Sequence, residues 1–208
     1  MLDRFATALL RPAVTAGARG LVRAGVGANA VTLAGFALGL CAAWLIAQEH
    51  YLEGALVILL SRLCDALDGA VARLTQPSDA GGFLDIALDF LFYASIPLAF
   101  AWADPVANAL PAAVLLAAFM GTSTSFLAFA VLAAKRGMVN TQYPDKAFYF
   151  LGGMTEATET QAFFMAMCIW PEAFSGLAYW FAALCGFTVL TRLWWGWQSL
   201  RADPQNLP

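Results

Sequence analysis

The sequence predicts an all-α polytopic membrane protein: six transmembrane helices preceded by an amphipathic N-terminal surface helix, in one membrane domain spanning residues 1–208. Three observations predict it. First, 61% of residues are hydrophobic and 12% charged, whereas soluble domains are about 25% charged and 45–50% apolar. Second, apolar runs near the length of a spanning helix (about 20 residues) recur between Gly, Pro and polar punctuation. Third, Lys and Arg fall on one side of those runs only. Disorder is excluded by 16 Phe, 7 Trp and 5 Tyr, far more burial than a disordered chain carries. The net charge of −3 identifies no partner, and the lipid bilayer, not nucleic acid, is the expected surroundings.

The elements follow in order. Residues 1–24 mix Asp3, Arg4, Arg11, Arg19 and Arg23 among apolar positions without a continuous apolar core. They form no signal peptide and read as the helix lying on the membrane. The spans are expected at about 29–47, 51–74, 81–103, 106–134, 147–170 and 174–200. The fourth is long for a bilayer. Gln48-Glu49-His50, Asp104 and Pro171-Glu172 make the breaks on one side. Those breaks contain no Lys or Arg, whereas Arg4 to Arg23, Arg73, Lys135, Arg136, Lys146, Arg192 and Arg201 gather on the other. Both termini are therefore expected in the cytoplasm, the membrane being a prokaryotic cytoplasmic one. Cys41, Cys64, Cys168 and Cys185 sit in apolar stretches without CxxC spacing. They read as small buried residues, neither disulfides nor ligands. His50 reads as a loop residue.

The chemistry lies where the second and third spans meet. Asp65 and Asp68 end one span, and Asp85 and Asp89 begin the next. A carboxylate at the membrane centre costs about 2.5–3.5 kcal/mol on insertion scales, so four of them call for a function. On a helix, Asp65, Asp68, Gly69, Ala72 and Arg73 share a face, as do Asp85 and Asp89 at i, i+4. A short loop from Leu74 to Ala80 makes the two helices antiparallel neighbours. Four converging carboxylates repel unless protons or divalent cations lie between them. An oxygen-only set favours Mg²⁺ or Mn²⁺ over Zn²⁺. Gly69 and Ala72 clear space for a substrate, and Arg73 offers a fork for phosphate. The bland alternative is structural pairing, with Arg62 against Asp65 or Asp68.

These residues resemble the signature of the CDP-alcohol phosphotransferase family, D-x2-D-G-x2-A-R-x(7–8)-G-x3-D-x3-D. The match runs Asp65, Asp68, Gly69, Ala72, Arg73, Gly81, Asp85, Asp89, with seven residues between Arg73 and Gly81 where eight is commoner. Asn29 and Thr32 resemble the family's Pro-Asn-x-x-Thr opening of the first span, with Ala28 in place of proline. Either could equally cap a helix.

The resemblance implies a metal-dependent transferase of phospholipid biosynthesis, usually a homodimer, with a site facing the cytoplasm. A substituted phosphate group would pass from a CDP-linked lipid, most often CDP-diacylglycerol, to a small alcohol, releasing CMP. Asp65, Asp68, Asp85 and Asp89 would hold metal, two ions of Mg²⁺ or Mn²⁺, with Asp89 also the general base. Gly69, Ala72, Arg73 and Gly81, with Asn29 and Thr32, would bind the donor nucleotide and phosphates. Acceptor candidates are Lys135, Lys146 and Arg192, which suit a phosphorylated alcohol, and Glu156 and Glu159, which suit an amine or polyol. The alternative function is a cation or proton-coupled transporter built on the same acids. A bundle that binds lipid or nucleotide without catalysis would have no need of Asp89.

Overall fold

The computed structural model describes residues 2–138, 155 and 157–201. Among them seven α-helices run α1 Leu2–Arg23, α2 Ala28–Ala47, α3 Tyr51–Leu74, α4 Asp79–Ala103, α5 Pro105–Lys135, α6 Ala157–Ile169 and α7 Phe174–Arg201. A single 3₁₀ turn, Pro171–Ala173, joins α6 to α7. Described residues contain no strand. The helices α2, α4 and α5, and the stretch 171–201, are long and apolar enough to cross a membrane. α3 has the length as well, but Arg62, Asp65, Asp68 and Arg73 lower its hydropathy. Of the expected fifth span, 147–154 and Glu156 lie outside the described residues.

Local chemistry sets the helix ends. Ser78 caps α4, its hydroxyl accepting from the Gly81 amide at 3.1 Å, so the helix starts at Asp79, earlier than the expected 81. Asp104 alone separates α4 from α5. Its Oδ1 accepts from the Val106 and Ala107 amides, both at 3.1 Å, and Pro105 takes the first position, where a missing N–H costs nothing. The 31 residues of α5 rise about 46 Å, longer than a hydrocarbon core of about 30 Å.

The apolar core fills the end of the bundle near the 48–50, 104 and 171–173 turns. Phe92, Phe100, Phe164, Phe174 and Phe181 are fully buried there with Ile46, Ile58, Ile96, Leu115 and Met167. Phe100 stacks on Phe174 with centroids 4.5 Å apart, and Phe163 on Phe181 at 4.4 Å. A smaller cluster binds α1 to α3: Ala18 packs with Ala70 and Val71, flanked by Val14, Leu21 and Val22. Arg11, Arg19 and Arg23 stay exposed on α1.

Close helix approach depends on glycine. A Cβ at Gly35 would fall 2.9 Å from Cys64 Cβ, and one at Gly39 2.5 Å from Phe92 Cδ2. α2 therefore lies directly against α3 and α4. All seven Trp keep to the two ends of the bundle: Trp44, Trp102, Trp170 and Trp180 toward the core end, Trp194, Trp195 and Trp197 toward the other, all exposed. Indoles at two levels are the pattern of membrane interfaces.

The cysteines are all free, but not all buried. Cys168 and Cys185 are buried, Cys64 is half-buried, and Cys41 is exposed on α2. The correction has a simple cause: a span is apolar toward lipid as well as toward the core, so hydropathy alone does not say which way a residue faces.

Candidate active site

The site is built at the end of the bundle opposite the aromatic core. The C-terminal half of α3 and the N-terminal half of α4 supply the acids, and α2 forms the third wall. A pocket there is lined by Thr32, Gly35, Ser61, Asp65, Asp68 and Asp85, with Arg62 and Asp89 beside them.

Three of the acids converge. Carboxylate oxygens of Asp65, Asp68 and Asp85 all lie within 4.8 Å of one another. Asp68 is only 5% exposed, and its Oδ2 is buried with no hydrogen-bond partner. A lone carboxylate oxygen in such a place is costly unless a cation meets it. The donor set is entirely hard oxygen, as Mg²⁺ and Mn²⁺ prefer. The residues present fit a divalent cation.

Asp89 lines the same pocket but is not one of the three whose oxygens converge. Its Oδ1 accepts from Arg62 Nη1 at 2.7 Å, while the same nitrogen is 3.5 Å from Asp65 Oδ1. Arg62 thus makes the expected pair with Asp65, but its shorter contact goes to Asp89 on α4. Arg62 also donates from Nη2 to Ser61 Oγ at 3.2 Å and lies 4.1 Å over the Phe92 ring. Ser61 is fully buried and donates to the Gly35 carbonyl at 2.7 Å. Ser61, Gly35 and Phe92 were not among the expected site residues. Their one signal is the Gly35-x3-Gly39 spacing, which marks close packing of membrane helices.

The remaining candidates divide by position. Arg73 folds back along α3, its Nη1 3.4 Å from where a Gly69 Cβ would stand. Gly81 lies against α2, since a Cβ there would be 3.0 Å from Asn29 Oδ1. Thr32 lines the acid pocket and donates to the Ala28 carbonyl at 3.1 Å. Ala72 is half-buried on the same helix. Arg192 is buried between α5 and α7, donating to the Thr122 carbonyl at 3.1 Å. Nearby, the Thr155 and Thr188 hydroxyls are 3.0 Å apart. Lys135 ends α5 and Glu159 opens α6; neither they nor Arg192 line the acid pocket. Glu156 and Lys146 lie outside the described residues.

The sequence matches the CDP-alcohol phosphatidyltransferase family over residues 26–194. The chain belongs to that family. This places it among membrane transferases of phospholipid biosynthesis and sets aside the transporter reading. It is 48% identical over 202 residues to Inner membrane protein YnjF of Escherichia coli strain K12, covering 97% of this chain and 98% of that one. Archaetidylinositol phosphate synthase of Pyrococcus horikoshii is 36% identical over 77 residues, which is 36% of this chain and 41% of the relative.

Among solved structures, the fold is similar to that of Mycobacterium tuberculosis phosphatidylinositol phosphate synthase. Its complex with manganese and citrate superposes with a TM-score of 0.70 at 24% identity, covering 88% of each chain. Its CDP-DAG-bound form gives 0.66 at 23% identity, covering 88% of this chain and 93% of the other.

Proposed function

We propose that the protein transfers a phosphatidyl group from a CDP-linked lipid, CDP-diacylglycerol in the first instance, to a small alcohol, releasing CMP. The observation that carries this reading is the trio of carboxylate oxygens within 4.8 Å, formed by the family's own signature residues where α3 and α4 meet. A manganese-bound and a CDP-DAG-bound structure of a protein of like fold support the cation and the donor.

Asp65, Asp68 and Asp85 would hold Mg²⁺ or Mn²⁺, which when bound neutralises phosphate charge and draws electrons from phosphorus. Every other task belongs to side chains. Arg73 takes phosphate oxygens with its planar fork. Gly69 and Ala72 leave the α3 face open to the cytidine, and Asn29, Thr32 and Gly81 border it. Asp89 accepts the proton of the acceptor hydroxyl. The freed oxygen bonds to the phosphorus carrying diacylglycerol, the bond from that phosphorus to the bridging oxygen breaks, and CMP leaves with the electron pair. Positioning and electrostatics carry most of such a displacement.

The proposed setting is a homodimer with six spans in a prokaryotic cytoplasmic membrane. α1 lies on the cytoplasmic surface, and both termini and the acids face the cytoplasm. The asymmetry of Lys and Arg supports this orientation. For the acceptor, the reading is a non-phosphorylated alcohol chosen by Glu156 and Glu159. Lys135, Lys146 and Arg192 are the residues that would serve a phosphorylated one. The test is CMP release from CDP-diacylglycerol with a panel of alcohols, including inositol phosphate and glycerol 3-phosphate. Use of a phosphorylated acceptor alone would overturn the choice of acceptor, and release from no CDP-lipid would overturn the activity.

A further inference from the structure

Gln161 lies on α6, two positions after Glu159, and only apolar residues follow it to Ile169. Its amide oxygen and nitrogen are both buried, and neither has a hydrogen-bond partner. A primary amide carries two donors and a carbonyl oxygen with two lone pairs. Leaving them unmet inside a bilayer, where no water replaces the missing partner, is costly. Bonding across to a neighbouring helix is the ordinary structural use of a polar side chain in a membrane bundle. Gln161 does not serve that use.

Its surroundings grade from polar to apolar. On α4, Tyr93 stands one helical turn beyond Asp89. The Tyr93 hydroxyl approaches the Gln161 amide without closing a bond to it. The Arg62 guanidinium lies 5.8 Å from the Tyr93 ring centroid and donates to Asp89 at 2.7 Å. On the other side Phe164 is fully buried, its centroid 6.2 Å from those of Phe92, Tyr93 and Phe119. Gln161 and Tyr93 therefore mark the boundary between the aromatic core and the acid end. One turn of helix rises about 5.4 Å, a distance that a small polyol can span.

We propose that Gln161 and Tyr93 form a hydroxyl-binding site beneath Asp89, and that the acceptor is a polyol. One hydroxyl reacts at Asp89 while a second is held one turn deeper by the amide and the phenol. This deepens the proposed transfer to a non-phosphorylated alcohol and rests on it. The pair offers hydrogen bonds and no charge, so it selects for a second hydroxyl, whereas Glu156 and Glu159 would select against an anionic group.

The experiment measures CMP release from CDP-diacylglycerol by the full-length protein in detergent, with acceptors matched in carbon skeleton: glycerol against propanol, and inositol against cyclohexanol. In at least one pair the parent should favour the polyol by on the order of 10²-fold or more in kcat/KM, because a site built to bond a hydroxyl rejects the analogue that lacks it. Gln161→Leu should lower kcat/KM for that polyol about 10- to 100-fold, the scale of a buried group losing its partner. The mono-alcohol and the KM for CDP-diacylglycerol should be little changed. Because it removes an unmet amide, this variant should unfold at a temperature no lower than the parent's. Tyr93→Phe should erode the same preference to a smaller degree, and it decides the question if Gln161→Leu does not fold. A parent indifferent to hydroxyl number, a preference unchanged in the variants, or an equal loss for polyol and mono-alcohol would overturn the proposal and leave phosphatidyl transfer standing. No CMP release with any alcohol would instead overturn the transfer itself, and this proposal with it.

Discussion

At Asp68 the proposed chemistry would come at a cost in stability. It is buried, with an oxygen that no hydrogen bond satisfies. Removing an uncompensated buried charge commonly stabilises a protein at the expense of function. Asp68→Asn should therefore raise the unfolding temperature of the metal-free protein in detergent and abolish the stabilisation that Mn²⁺ gives the parent. An undiminished Mn²⁺ shift would take Asp68 out of the metal site. Asp89 has the opposite profile, being paired with Arg62 and outside the trio. Asp89→Asn should bind CDP-diacylglycerol like the parent and turn over about 10²–10⁴ times more slowly, the usual cost of removing a base. Unchanged turnover would exclude it as the base.

At the scale of the element, α2 carries no acid but determines how tightly α3 and α4 come together. Gly35→Val would place a Cβ 2.9 Å from Cys64 Cβ. It should destabilise by about 1–3 kcal/mol, the range for overpacking, measurable as a lower unfolding temperature with weaker donor binding. The acids were legible in the sequence because the spacing of Asp65, Asp68, Asp85 and Asp89 needs only helix periodicity to bring them to one end. The ion pair of Arg62 with Asp65, 3.5 Å, was legible as well; its shorter contact with Asp89 was not. Periodicity puts Arg62 on the face of Asp65, but the rotation of α4 against α3, which brings Asp89 to 2.7 Å, is set by packing of Ser61, Gly35 and Phe92. Nor was the exposure of Cys41, since both faces of α2 are apolar. Glu156→Gln with Glu159→Gln should raise the acceptor's KM and leave the donor's nearly unchanged. A parallel loss for both substrates would make these acids scaffolding.

The whole molecule divides its labour between its two ends. Packed aromatics hold one end, and carboxylates converge at the other, with exposed indoles at both levels. Under the proposed function, the bundle would offer a water-soluble nucleotide an acidic cleft fit for a cation while acyl chains stay in lipid. Its orientation is open to a direct check in a cysteine-free background. Gln76→Cys, in the α3–α4 turn, should react with an impermeant maleimide only from the cytoplasmic side, and Gln48→Cys only from the other. Reversed labelling would refute the inside-positive topology. The central claim, that this acid cluster performs cation-dependent phosphatidyl transfer, is tested most directly by CMP release from CDP-diacylglycerol with an alcohol panel, before and after chelation. The account predicts release that vanishes with excess chelator and returns with Mg²⁺ or Mn²⁺; full activity in the presence of chelator would contradict it.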